Sequence, residues 1–480
     1  MNKLFNINKL LYSEINSSKF FSIVRDGNTK NFSRKRKVSP KDIILYLLNK
    51  KGMSQKMEIE LFNEIGNYNI SSPGMLKQRE KFNPEAIIYL NNKLLNNLYT
   101  KDNKDLKTWK GFILCAIDGS EFEVPNTEES KEIFRRSKNQ YANRGSVRAR
   151  VSNTFDILNE IILDTKIGKC KSNERALAIQ NYESIKKEIK DFKLLSIMDR
   201  GYQSIYTMFR FSRNSDKYIL RLYSKTFSSV LTDEVDTTIN FQNRKDKTLY
   251  NAVRRNKNRH SDFKDFIEEN NEFKTRIVKI TLKTGEVEHL ATNLSIKEAS
   301  VEEIANLYNL RWKIETNFHH LKISMKIEKI SSSKKNLIYQ DIYSQMLVYN
   351  ILRENIRESE KVIKQEQYLH EMKINFNMAI GLFKKYFIYI ITVEDDYQRA
   401  ELTKEFFEKI RKYIIPIRNG RNSIKRICRV RNIQYKQKQN VLNHSKKETI
   451  RRFCSFRLRK KWISLNIYVV HKIRYNKYCF

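Results

Sequence analysis

Residues 111–120 read Gly-Phe-Ile-Leu-Cys-Ala-Ile-Asp-Gly-Ser, and residues 194–201 read Leu-Leu-Ser-Ile-Met-Asp-Arg-Gly. Each is a continuous apolar run of strand length, the pattern of a strand buried on both faces. Each is expected to stop at an acid: Asp118 ahead of Gly119, and Asp199 ahead of Arg200 and Gly201. Between the runs lie two further strand candidates, 147–156 and 157–166, close enough for an antiparallel meander. A helical stretch follows at 173–191, where Ala176, Ile179, Tyr182, Ile185 and Ile189 recur at helical spacing. Three strands, a helix and a fourth strand ending in an acid is the order of a ribonuclease-H-like fold, an α/β class with a mixed sheet flanked by helices. An Asp before a glycine is also what an ordinary strand-ending turn uses, so neither acid carries the reading alone.

Working outward, residues 39–98 read as short helices, with Ile43, Leu45, Leu47 and Leu48 apolar and Ser71-Ser72-Pro73 offering a helix start. Lys77, Arg79 and Lys81, following that start, are expected either to present a basic helix to DNA or to be a plain solvated face. Downstream, 218–223, 237–241, 275–282 and 286–293 read as strands separated by polar, basic connections, a mainly β insertion. Residues 301–325 then give the longest uninterrupted helical signal, in a stretch with no Gly or Pro between Gly285 and Gly381.

On an ideal helix Tyr308, Arg311, Glu315 and Lys322 fall within an arc of roughly 60°. A tyrosine, two cations and a carboxylate on one stripe is a poor core pattern, because buried charges without partners are costly. It suits a helix that offers a metal ligand flanked by phosphate-binding cations, or, more plainly, an exposed face carrying an Arg311–Glu315 pair at i, i+4. Two acids at strand ends and a Glu on a long helix would converge on one end of a sheet. Hard oxygen donors of this kind hold Mg²⁺, and two such ions about 4 Å apart would serve an in-line phosphoryl displacement.

The chain carries 93 Lys plus Arg against 54 Asp plus Glu, a net charge of +39. That balance points to a polyanionic partner, although a Lys-, Asn- and Ile-rich composition of AT-rich codons also makes a chain basic. The five cysteines are scattered and read as reduced thiols. No stretch approaches the roughly 18 apolar residues of a membrane span; the longest apolar run, 386–393, fits a buried helix or strand. The expected location is the bacterial cytoplasm, associated with the nucleoid. No G-x-x-x-x-G-K loop is present, so no nucleotide cofactor is expected. His319 and His320 point about 100° apart on a helix and are read as polar surface, not as a metal pair. Residues 418–461 are dense in Arg and Lys with Tyr435, Phe453 and Phe456 interleaved, a pattern for tracking a DNA backbone. Residues 462–480 hold no recognisable motif.

The spacing Tyr308-x2-Arg311-x3-Glu315-x6-Lys322 resembles the Y-R-E-K signature of the insertion-sequence-four family of bacterial DDE transposases. Ile117-Asp118-Gly119-Ser120 looks like that family's first acidic block, Met198-Asp199-Arg200-Gly201-Tyr202 its second, and residues 290–294 the strand that closes its insertion. The resemblance covers roughly residues 71–431. It implies a homodimeric synaptic complex on double-stranded DNA that binds terminal inverted repeats, nicks each end to free a 3′-hydroxyl and joins it to target DNA. Asp118, Asp199 and Glu315 would be the catalytic ligands of two Mg²⁺ ions, with Mn²⁺ as a substitute, and Tyr308, Arg311, Lys322 and Arg200 would contact DNA phosphates. Members that release their ends through a hairpin are expected to place an aromatic, often Trp, in the insertion. Here Trp109, Trp312 and Trp462 all lie outside it, leaving a Phe, a Tyr or a different release route. The implied organisation is a helical DNA-binding region at 1–105, a catalytic domain at 106–216 and 295–355, a β insertion at 217–294, and a basic helical region at 356–480. Two competing readings are a degenerate DNA-binding derivative and a nuclease of the same fold that only hydrolyses.

Overall fold

The computed structural model describes residues 2–34, 36–66, 68–137, 145–223, 235–242, 247–270, 272–281 and 285–417. Residues 1–417 form one compact unit. The basic stretch 418–461 and the tail 462–480 lie outside the described residues.

The strands of the main sheet are β1 (Phe112–Glu123), β2 (Arg136–Ser137), β3 (Ser146–Asp156), β4 (Ile161–Lys169), β5 (Lys193–Met198), β6 (Lys217–Arg221), β7 (Asp236–Asn240), β8 (Lys274–Thr281) and β9 (Val287–Thr292). They form one mixed sheet in the order β2-β3-β1-β5-β6-β9-β8-β7, with β4 also paired to β3. β1, β3 and β4 are the expected antiparallel meander. β1, β5 and β6 run parallel, joined by the Glu174–Glu188 and Ile205–Phe211 helices. Parallel strands need such crossovers, and burial on both faces is what their unbroken apolar runs supply: Ile113, Leu114, Cys115, Ala116 and Ile117 are all buried. The fold is ribonuclease-H-like, as the order of elements implied.

β1 does not stop at Asp118. It continues to Glu123, because its antiparallel partner β3 runs on beside it through Glu123↔Arg148. Only the parallel partner ends there, the last rung being Ile117↔Met198. The apolar run marked the end of two-sided pairing, not the end of the strand.

Strands are present at all four places expected in the insertion, but β6 pairs parallel with β5, and β7 to β9 extend the same sheet beyond it. Between β7 and β8 the chain also forms the Lys247–Lys257 and Ser261–Glu269 helices, which polar spacing had hidden. Tyr206 stacks on His260 at 3.5 Å, and Arg210 donates to Asp262 at 2.6 Å, tying this segment to the Ile205–Phe211 helix.

The longest helix is Lys335–Glu360, not residues 301–325. It is buried along most of its length, so no polar stripe marks its period. The helices of residues 2–98 and the Phe376–Thr392 and Asp396–Arg411 helices pack around it. Ser71 caps Ser72–Arg79 as expected, accepting from Gly74 N–H at 3.2 Å. The expected basic DNA-facing helix is overturned at Arg79, which is fully buried. Its guanidinium donates to Asp341 at 2.7 Å, to Gln340 at 3.1 Å and to the Leu337 carbonyl at 3.3 Å. Lys50 pairs with the same Asp341 oxygen at 2.9 Å, and Lys384 donates to the Lys50 carbonyl. Burial alone would raise the Asp341 carboxyl, but Arg79 and Lys50 outweigh it and hold it below the usual range.

Candidate active site

The site begins with register. Ile117 and Met198 form the last rung between β1 and β5, so Asp118 and Asp199 both stand one residue beyond it, at the same level of the sheet. Asp118 stays on β1, opposite Asn153 of β3, and takes the Gly119 N–H at 2.8 Å. Asp199 leads into the Arg200–Tyr202 turn.

The Y-R-E-K stretch crosses this end of the sheet. Ser300 caps it, with Ser300 and Glu303 bonding each other's backbone N–H reciprocally. The stretch is helical throughout but not uniform: Val301–Asn309 is α, Leu310–Trp312 tightens to a 3₁₀ turn, Lys313–His319 is α again, and His320–Ser324 widens to a π turn. Tight and wide turns wind by different angles per residue, so the single 60° stripe does not hold along its whole length.

Three of its four signature residues meet the aspartates. The Tyr308 hydroxyl donates to Asp199 Oδ1 at 3.4 Å. Arg311 is buried, 3.4 Å from Glu315 Oε1, with its guanidinium over the Tyr308 and Trp312 rings at 5.8 and 4.8 Å. Burial works against the Arg311 charge, but Tyr308, Asp199, Asp118 and Glu315 together raise its pKa. A buried cation facing three acids is not the exposed i, i+4 pair of the plainer reading. Burial chiefly, then the charges of Glu315 and Glu174, push the Asp118 carboxyl up to about 6 against the opposing Gly119 N–H and Arg311.

Two candidates lie further off. Lys322, on the π turn, donates to the Glu121 carbonyl at 2.6 Å and stands 3.6 Å from Glu328. It reaches the same strand as Asp118, three residues further along. Arg200 is exposed and sits 5.6 Å over the Tyr223 ring. His320 is corrected from polar surface: it packs on Phe376 at 4.1 Å, and burial lowers its pKa to about 4.

Sequence reasoning missed Arg221, Glu174 and Arg150, and quoted Tyr202 in the second acidic block without a role. Arg221 stands 4.0 Å from Asp199 and 2.8 Å from Glu288. Arg150, on β3, holds Glu174 and Glu121. Strand register alone could have placed Arg150 opposite Glu121. Among the described residues, no three His, Cys, Asp or Glu side chains are already gathered as a metal-binding group. Like charges at close range repel, and here the Arg311 guanidinium stands among them as the offsetting charge. The donors are carboxylate oxygens, the hard ligands that suit a divalent cation of the Mg²⁺ type.

The family described as the transposase DDE domain matches residues 109–351, half of the chain. The chain is 24% identical over 252 residues to the transposase InsG for insertion sequence element IS4 of Escherichia coli, covering 51% of this chain and 52% of that protein. It is 32% identical over 88 residues to a putative transposase for insertion sequence element IS4SA of Synechocystis, covering 17% of this chain and 26% of that one. The chain thus spans about half the length, or less, of these curated relatives. Among solved structures it is similar to a piggyBac transposase in a synaptic complex with hairpin DNA, at a TM-score of 0.41 and 10% identity over 84% of this chain and 81% of that one. This chain belongs to the DDE transposases, and the curated relatives it resembles are transposases of IS4-type insertion sequence elements. No helix among the described residues is long and apolar enough to cross a membrane.

Proposed function

We propose that this chain is an insertion-sequence transposase that cleaves the ends of its element and joins the freed 3′-hydroxyls to target DNA, with Asp118, Asp199 and Glu315 as its catalytic acids. The observation that carries the reading is the shared sheet level of Asp118 and Asp199, crossed by a helix that brings Tyr308, Arg311 and Glu315 to them. An acid at a turn is ordinary; two acids one residue beyond the last rung of the same parallel pair, with a buried arginine facing both, are not.

The three carboxylates would hold Mg²⁺, with Mn²⁺ as a substitute, and a two-ion site would lower the pKa of the attacking water or 3′-hydroxyl and stabilise the leaving oxygen. Arg311, preorganised by its burial and its ring contacts, would face the scissile phosphate with a planar donor fork. Tyr308 would orient Asp199 through the one proton of its hydroxyl, or turn that proton to a phosphate oxygen once DNA is bound. Lys322 and Arg200 would grip the flanking backbone as longer-range charges, which sets binding more than chemistry. The net charge of +39 fits a duplex substrate. In this reading the helices of 1–105 and the basic region 356–480 supply further end-DNA and partner-subunit contacts in a homodimer.

The test is incubation of the purified chain with a labelled duplex of the element's own terminal repeat and a supercoiled target, with Mg²⁺ or with EDTA. Nicking at the terminus followed by joining to the plasmid, both only with the metal, is the expected result. Nicking without joining would favour the hydrolytic nuclease, and binding without nicking the degenerate DNA-binding derivative.

A further inference from the structure

The two aspartates have an acid on their other side. Glu174 opens the Glu174–Glu188 helix, which Asn173 caps through Arg175 N–H, and its side chain is 33% exposed. Its two oxygens are divided between the strand ends. Oε1 lies 3.6 Å from where a Cβ on Gly119 would stand, and Oε2 lies 3.6 Å from where one on Gly201 would stand. Gly119 follows Asp118 directly and Gly201 comes two residues after Asp199, so one carboxylate spans from β1, just past its last rung with β5, to the turn that follows β5.

Arg150 on β3 holds that carboxylate in place. Its guanidinium pairs with Glu174 Oε1 and, at 3.0 Å, with Glu121 Oε1, and it donates to the Cys170 carbonyl at 3.2 and 3.3 Å. Glu121 takes Arg148 at 3.1 Å on its other oxygen. A second feature points into the same place. The Tyr202 side chain is 1% exposed and its hydroxyl has no hydrogen-bond partner among the described residues. That hydroxyl also lies 3.6 Å from the Cβ position of Gly119. A buried hydroxyl left unpaired is costly, and here it faces the space between Glu174 and the two strand ends, where a hydrated cation would supply the missing partner.

We propose that Glu174 is a fourth acid of the site, helping to retain a divalent cation beside Asp118 and Asp199, with Arg150 as its counter-charge when no cation is bound. The inference rests on the carboxylate reading above. It differs from that reading in placing a ligand-side acid on the first crossover helix, outside both acidic blocks and outside the Y-R-E-K stretch.

The test is Mn²⁺ binding to the full chain without DNA, followed by electron paramagnetic resonance of the free ion, for wild type, Glu174→Gln and Asp118→Asn. Glu174→Gln keeps the shape and an acceptor for Arg150, so its melting curve should match wild type; Glu174→Asp, which retains the charge, is the second variant. The expected result is Mn²⁺ affinity lowered about tenfold in Glu174→Gln and largely restored in Glu174→Asp, with binding of end DNA in EDTA unchanged. If Asp118→Asn binds less Mn²⁺ while Glu174→Gln superimposes on wild type, the role of Glu174 is overturned and the three-acid reading stands. If neither variant alters Mn²⁺ binding, the carboxylate reading falls and takes this inference with it.

Discussion

Two places in the molecule withdraw acids from water, and they do so on opposite terms. At the Lys335–Glu360 helix, Asp341 is buried between Lys50 and Arg79, both themselves buried, at 2.9 and 2.7 Å. Just past the last rung between β1 and β5 stand Asp118, Asp199, Glu315 and Glu174 with Arg311 and Arg150, and all of these acids but Asp118 are a third to a half exposed. The first group sets two buried cations on one buried carboxylate, and the acid is held below the usual carboxylate range. The second has an excess of acids with an open side, and burial pushes Asp118 up to about 6. An acid outnumbered by buried cations fixes a packing arrangement; a partly open set in which acids outnumber cations leaves room for a charge from outside.

The sharpest way to break this contrast is to neutralise one acid in each group. Asp118→Asn and Asp199→Asn should each lower end cleavage by about 10³-fold or more, the scale of losing metal-borne stabilisation of the displacement. End binding measured by gel shift should persist, and the unfolding midpoint should not fall. Asp341→Ala should do the reverse. It strands Lys50 and Arg79 as buried, unpaired cations, and denaturant unfolding should show a loss of about 3–5 kcal/mol. Its acid dependence follows from sign: the folded pKa of Asp341 lies below the ordinary 3.8. The stability it contributes is therefore present above that ordinary value and lost as pH falls through the depressed one. An Asp341→Ala protein as stable as wild type would end the distinction between the two groups.

A smaller effect is expected at Lys322, which sits at the margin of the site beside Glu121 and Glu328. Lys322→Ala should weaken end binding by about tenfold and reduce the salt slope of binding by about 1, leaving metal affinity unchanged. Loss of metal affinity of equal size would move Lys322 into the carboxylate group. The smallest effect belongs to Lys384, whose burial lowers its pKa to about 8. With the folded value below the ordinary 10.5, the unfolded chain binds more protons between pH 8 and 10.5, so this group's contribution to stability rises with pH across that window. Lys384→Met should lie within about 1 kcal/mol of wild type at pH 7 and lack that alkaline rise, as read from paired unfolding curves.

What was legible in the sequence follows the same division. The two parallel strands announced themselves because burial on both faces forces an unbroken apolar run, and the acids that end those runs mark where two-sided pairing stops. The extension of β1 to Glu123 was not legible, since it depends on β3, which is set by register and not by local pattern. Tyr308, Arg311 and Glu315 could be read from their spacing. The 3₁₀ and π turns that separate Lys322 from them could not, because both are written in ordinary helix-forming residues. Arg79 looked like a solvated cation among Lys77 and Lys81; only the tertiary position of Asp341 turns it inward. Glu174 looked like a first-turn acid favouring a helix N-terminus, and its proximity to both strand ends exists only in the folded sheet.

If acids from three separate elements act as one metal-dependent centre, the helix-borne Glu315, the least buried of them, is as necessary as the two aspartates. The most direct measurement compares wild type with Glu315→Ala on a labelled transposon-end duplex in Mg²⁺, scoring cleavage, strand transfer and binding in the same reactions. Both chemical steps should vanish while binding remains within about threefold of wild type, since removing a group that acts only on the transition state leaves ground-state affinity in place. A Glu315→Ala protein that still cuts and joins at the wild-type rate would contradict it.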